Sequence, residues 1–371
     1  MTTTPTSTKR IEYIDALRGF TMILVVFSHL YIPDITPLNK IFITFRMPLF
    51  FFISGFIAYK ANEIWNLSSY TAKLLNKCRI QLIPTLVFGL LFSYIIRNHD
   101  FLTFAFDGYK DGYWFTIVLL GMFVVYYTYN LIISKLYTGG GYLYKNIILY
   151  VLAIVLCGIP YLCGVFGVSF NNSYSNLLCL PLLFNYFQFF VLGLIARQFQ
   201  DKIHQIIENK YFSACIIILF VALFWWLQID SQHINNSIGL IHRLLLLINS
   251  IGRLLVRYLG LIIVYSFFRK YQTSFTQATK IGSSLQYIGR HTLDIYVLHY
   301  FFLPNITPIK EFILNTQHTW NSPNIVFELF FGVSVALMII AMCLLVSKVL
   351  RTSDVLAHFL FGAKIKKEET N

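Results

Sequence analysis

Ten apolar runs of about twenty residues each leave this chain little choice of fold. They fall at about 12–32, 41–60, 79–97, 113–133, 146–165, 177–197, 211–229, 247–268, 286–304 and 324–349. Roughly 20 helical residues cross the hydrocarbon core of a bilayer. The chain is 57% hydrophobic and only 12% charged, and a soluble domain of that make-up would precipitate. The expected fold is therefore all-α, a polytopic transmembrane helical bundle of about ten spans. One membrane domain, 12–349, follows a short tail, 1–11, and precedes a basic tail, 350–371. No internal repeat stands out, which weakens a reading as a transporter built from inverted halves.

The net charge of +13 would suggest nucleic acid in a soluble protein. Its distribution here points to topology instead. With the N-terminus inside, the inner segments hold nineteen Lys and Arg and the outer ones five. The positive-inside rule then puts both termini in the cytoplasm and leaves no nucleic-acid site. The expected location is a multi-pass position in a membrane. Lys9-Arg10 ahead of an apolar run resembles a signal peptide, but no small-x-small cleavage site follows, so the run reads as a retained first span. The six cysteines are scattered and read as small apolar packers. No residue cluster has metal-ligand spacing, and no P-loop, GxGxxG, HExxH or GxSxG stands in a suitable context.

The first run carries two side chains that lipid would reject. Arg18 and His29 are eleven residues apart, about 1,100° of helix and so within about 20° of three turns. They share one stripe, with Asp15 close to it. An intramembrane ionisable residue is a functional-site hypothesis by default. Two plainer readings stand beside it: Arg18 snorkels to the interface, and His29 is a hydrogen-bonded packing residue.

Further constellations lie along the chain. Arg46 precedes Met47-Pro48 at the start of the second span, at the same end as His29. Ser54 and Gly55 in that span are small enough for close helix packing. Lys73, Lys77 and Arg79 form a basic cluster before Pro84, suited to phosphates or merely to lipid headgroups. Arg253 and Arg257 are i,i+4 neighbours whose face should turn into the bundle, unless the span begins later. His242 and Arg243 lie just before them. Arg290 and Asp294 have the spacing of a structural ion pair. Tyr296 and His299 follow on the same span and fall at about the depth of His29.

Taken together, these motifs resemble the membrane acyltransferase-3 family, which includes polysaccharide O-acetyltransferases. Arg18 and His29 are similar to its R-X10-H motif, and Met47 to Gly55 to its second-span signature. Trp114-Phe115 resembles the start of its fourth span; Phe190, Gly193 and Arg197 its sixth; Ile288-Gly289-Arg290 through Tyr296 and His299 a late one. The chain departs from the family at Lys77-Cys78-Arg79, where two arginines spaced RxxR are common, and at Arg46, where some relatives have His. The short sugar-modifying forms, without an extracellular hydrolase-like domain, are nearest.

The resemblance implies transfer of an acyl group, commonly acetyl, from cytoplasmic acetyl-CoA to an envelope glycan or lipid-linked sugar, with no metal. Catalysis would fall to His29, with Arg18. Arg18, Lys77 and Arg79 would meet the donor. Arg46, Trp114, Arg253, Arg257, Tyr296 and His299 would meet the acceptor. Two other classes stay open: a transporter or flippase for a lipid-linked sugar or small solute, and a membrane sensor or scaffold.

Overall fold

The structure, a computed structural model, describes residues 10–30, 36–60, 65–136, 145–165, 170–234, 240–304, 307–309, 311 and 324–363. Every regular element among them is helical. The first three long helices are α1 (Glu12–Leu30), α2 (Pro37–Ala58) and α3 (Leu67–Arg97). After a short α4 (Phe101–Phe106) come α5 (Trp114–Leu136) and α6 (Lys145–Val165). The middle of the chain holds α7 (Ser173–Leu177), α8 (Leu180–Gln198), α9 (Gln200–Glu208), α10 (Lys210–Ile234) and α11 (Leu240–Lys270). The last elements are α12 (Lys280–Arg290), α13 (Thr292–Leu298), α14 (Asn324–Leu350) and α15 (Asp354–Phe361).

Eight of these helices are long and apolar enough to cross a membrane: α1, α2, α3, α5, α8, α10, α11 and α14. The helix α6, apolar over Lys145–Pro160, and the broken pair α12–α13 correspond to the other two expected runs. The ninth run is therefore not one continuous helix. The segment after span ten also differs from expectation, since it contains α15, packed on α3 through Phe361 and Phe88. The sequence predicts a bare tail there because eight residues between polar flanks give too short a periodic signal.

Local chemistry sets the helix ends. The Thr36 hydroxyl accepts from the Asn39 N–H to start α2, with Pro37 in the first turn, where its missing donor costs nothing. Thr279 caps α12 through the Gly282 N–H. Along α3, two π-helical turns, Cys78–Leu82 and Ser93–Arg97, shift the phase of the faces that follow.

α1 is central: 78% of its apolar window is buried within the protein, against 6% for α10 at the periphery. It crosses α12 backbone to backbone. A Cβ on Gly19 would stand 2.0 Å from the Leu285 carbonyl oxygen, and one on Gly289 1.9 Å from that of Asp15. α2 crosses α8 in the same way, through Gly55 on Phe190 and Gly193 on Phe52. Lipid supplies no hydrophobic drive between helices, so such close van der Waals contact is a main source of association. These two crossings anchor α1 and α2 side by side, and the site forms along them.

Candidate active site

Along one face of α1, Arg18, Met22, Val25 and His29 line a cavity of about 400 Å³. Their spacings of four, three and four residues are those of a single helical stripe. Opposite stand Arg46 and Ser54 from α2, Lys77 and Gln81 from α3, Trp114 and Phe115 from α5, and Tyr296 and Tyr300 from the α13 region. A second cavity of about 290 Å³ adjoins it, sharing Arg18, Ser54, Lys77, Gln81 and Leu119 and adding Lys60 and Lys73. The combined space runs from a basic end to an end formed by His29, Tyr300 and Gly112.

Arg18 does not snorkel: its Nη2 donates to the Thr292 hydroxyl at 2.8 Å. That bond reaches α13 immediately after the break that separates it from α12. Arg46 is buried, and its Nη1 donates to the Val25 carbonyl at 3.2 Å, while its Nε has no partner. A buried charge with an unmatched donor leaves bonding capacity for a bound group. Trp114 stacks on Tyr186 and is T-shaped to Phe115, giving the cavity an aromatic wall.

The surroundings of His29 favour one tautomer. The Tyr300 hydroxyl lies 3.2 Å from His29 Nε2 and 3.1 Å from the Gly112 carbonyl oxygen. A hydroxyl has one proton and a carbonyl only accepts. Both contacts are satisfied when Tyr300 donates to Gly112 and His29 Nε2–H donates to Tyr300, which leaves the Nδ1 lone pair as the basic site. The Tyr296 hydroxyl also donates to the Gly112 carbonyl, at 3.1 Å, and accepts from the Phe115 N–H at 3.2 Å.

Gly112 is held at φ +106°, and a Cβ there would meet the Tyr300 hydroxyl at 2.3 Å, so only glycine presents its carbonyl this way. Lys110 stabilises that turn from beneath, its ammonium donating to the carbonyls of Asp107 and Asn176, each at 2.8 Å. Burial pushes the Lys110 pKa below its ordinary value. Tyr300→Phe should lower kcat about tenfold, the worth of one hydrogen bond, and leave KM for the donor nearly unchanged. Steady-state kinetics on purified protein will show whether it does.

His299 sits one layer back. It is fully buried and its Nδ1 faces the carbonyls of Ile295 and Tyr296 at 3.1 and 2.8 Å, so Nδ1 carries the proton. Its ring packs 4.0 Å from that of Tyr300 and 5.2 Å from that of His29. It supports those two groups and does not line the cavity.

Three expectations need correction. Arg290 and Asp294 do not pair. α12 ends at Arg290 and the backbone turns at His291, so the i,i+4 geometry of an unbroken helix is lost. Asp294 instead takes a fork from Arg351, with Nη2 at 2.7 Å and Nε at 3.0 Å, and a bond from Ser347 at 2.6 Å. Arg290 bonds Gln277 and Gln286 and lies 3.9 Å from Asp15. Arg290, Asp294 and Arg351 nonetheless all touch the cavity.

Arg79, the second correction, lies outside both cavities. Two residues on from Lys77, about 200° around the helix, it bonds Asn76 at 2.9 Å beside Gly362. Third, neither Arg253 nor Arg257 lines the cavity. Arg253 is exposed and bonds Asn249, whereas Arg257 turns inward to Asn185 at 3.0 Å and lies over the Tyr186 ring that backs Trp114. The side chains of His242 and Arg243 lie outside the described residues.

Sequence reading missed Thr292, Tyr300, Gly112 and Arg351. Tyr300 adjoins His299, so a 3.6-residue period puts it about 100° away; the chain tightens to a 3-10 turn over His299–Phe302 and both rings end beside His29. Arg351 falls in the expected tail, and nothing local marks its partner 57 residues earlier.

The geometry is that of a bundle-spanning site built on the R-X10-H stripe. A family profile described as an acyltransferase domain matches residues 11–346. The chain belongs to the membrane acyltransferase-3 family. It is a multi-pass integral membrane acyltransferase, with an acyl donor and an acceptor as its substrates. No curated protein and no solved structure gives a significant match.

Proposed function

We propose that this acyltransferase moves an acetyl group from acetyl-CoA to a hydroxyl of an envelope sugar, in a bacterial inner membrane with its basic end in the cytoplasm. The observation that carries this reading is the pair of adjoining cavities along α1, basic at one end and lined by His29 at the other. Lys60, Lys73 and Lys77 are suited to the phosphates of a CoA donor, and Arg18 stands between them and His29. Trp114 and Tyr296 give the histidine end the aromatic and hydroxyl surface that sugar rings favour. Envelope glycan or lipid-linked sugar is the acceptor class.

In this reading the acceptor hydroxyl gives its proton to His29 Nδ1 as its oxygen attacks the thioester carbonyl carbon. The negative charge that develops on the carbonyl oxygen is met by Arg46, whose guanidinium lines the same end. The carbon–sulfur bond then breaks, and the imidazolium returns its proton to the CoA thiolate. Tyr300 holds the imidazole in the orientation the step requires. An acyl-histidine relay would use the same residues.

The test is purified protein in liposomes with acetyl-CoA and a glycan acceptor. Acceptor-dependent release of CoA with formation of an O-acetylated sugar supports the proposal. Solute movement without CoA consumption would instead make the protein a transporter. Lys73→Gln with Lys77→Gln should raise KM for acetyl-CoA about tenfold or more, roughly one charge-assisted hydrogen bond's worth. The rise should grow at low salt, where surface charges are least screened. An unchanged KM would remove these lysines from the donor site.

A further inference from the structure

At the basic end, away from the α1 stripe, lies a third cavity of about 450 Å³ that shares no lining residue with the two already described. Tyr13, on its wall, is about 140° around α1 from Arg18. Three guanidinium groups come from three separate segments: Arg10 ahead of α1, Arg197 at the end of α8, and Arg269 at the end of α11. One acid, Glu12, also lines the space, and its carboxylate is engaged by the Gln277 N–H at 3.1 Å.

We infer that this cavity binds a phosphate-bearing anion, either a phospholipid headgroup or a soluble phosphate ester. The side chains are pre-arranged for one. Arg197 donates to the Gln200 carbonyl oxygen at 2.6 Å and lies over the Phe56 ring. Arg269 donates to that of Gln272 at 2.9 Å and lies over the Tyr13 ring. Both forks are thereby steadied while keeping further N–H donors for a ligand. The glutamine NH₂ groups are donors as well, since only their oxygens are used in these bonds.

A second observation concerns the buried polar atoms on its wall. Tyr13 lines the cavity and is only 4% exposed, and its hydroxyl lies near Tyr265 and Arg269 without a well-formed hydrogen bond to either. Arg269 Nε is likewise buried and unpartnered. Buried polar atoms are almost always satisfied, so two such donors on one small cavity point to a missing acceptor. Three arginines from different elements suit a tetrahedral oxyanion, whose oxygens each take a planar fork.

The experiment is direct binding, which is independent of acyl transfer and so fails or succeeds apart from the proposed function. Purified protein is titrated with radiolabelled pyrophosphate. Separately, nanodisc-extracted protein is analysed by native mass spectrometry for retention of phosphatidylglycerol over phosphatidylcholine. Saturable binding of either probe that Arg269→Gln or Arg10→Gln weakens supports the site, and the probe that binds names the source. Arg269→Gln and Tyr13→Phe should weaken it, the first about tenfold for one charge-assisted hydrogen bond. Arg10→Gln is the variant least able to disturb folding, since Arg10 is exposed at the edge of the cavity, and should weaken it similarly. Lys73→Gln, in the other basic cavity, should remove only the donor-site share of pyrophosphate binding and leave the share that the arginine variants weaken. Binding that falls with Lys73→Gln and ignores Arg10→Gln and Arg269→Gln overturns the inference, as does no binding of either probe.

Discussion

His29→Gln should lower kcat for acyl transfer by about 10²–10⁴-fold, the usual contribution of a positioned general base. KM for the donor should change little, because Arg18 and Lys77 stay in place at the other end of the cavity. Glutamine keeps an amide that can reach Tyr300, so the packing around Gly112 should survive. That makes the substitution a test of proton transfer more than of folding. Elution as a single species in detergent, with a wild-type unfolding midpoint, would confirm that the fold is intact. A folded variant at the wild-type rate would remove His29 as base. An undiminished first turnover with slow later ones would favour a base that acts only in the second half of an acyl relay.

Gly289→Leu should leave little folded protein, and Gly289→Ala or Gly19→Ala should destabilise by about 1–3 kcal/mol, the usual cost of overpacking. The reason is the α1–α12 crossing, where each glycine faces a carbonyl oxygen of the other helix at no more than 2.0 Å from an added Cβ. Neither backbone can yield without moving its helix. Because α12 leads directly into Thr292, the partner of Arg18, the milder alanine variants should also lose activity. Thermal unfolding in detergent measures the first effect and turnover of the surviving folded fraction the second. A Gly289→Leu protein with the wild-type midpoint would show that the two helices do not meet as described.

How much of the site could be read in advance depended on whether a helix ran unbroken. Arg18 and His29 could be placed on one face because α1 keeps its 3.6-residue period from end to end, and Met22 and Val25 fall between them as that period requires. Gly55 could be assigned to a close crossing for the same reason. The period fails where the helix does. At His291 the chain turns, so Arg290 and Asp294 look like neighbours and are not. At His299 the α-helix gives way to a 3-10 turn, and Tyr300 stands beside His29. Lys77 lines the cavity and Arg79, two residues on, does not, as the helical period alone requires. Arg253 and Arg257 share a helix face, but that face sits at the edge of the bundle, so one is exposed and the other reaches inward.

Hydrophobicity and charge are properties of the residues themselves, and they suffice for a helical membrane bundle; the family is carried by its ordered motifs. A bilayer admits few alternatives, and a long apolar helix satisfies its own backbone without help from its neighbours. The R-X10-H stripe belongs with them, since one helix holds both ends of it. Partnership between helices is a different kind of information. That Arg351 meets Asp294, that Tyr300 bridges His29 to the Gly112 carbonyl, and that three arginines from three segments surround one cavity all depend on contacts remote in the chain. No local periodicity encodes such contacts; they exist only once the glycine crossings have brought the helices together.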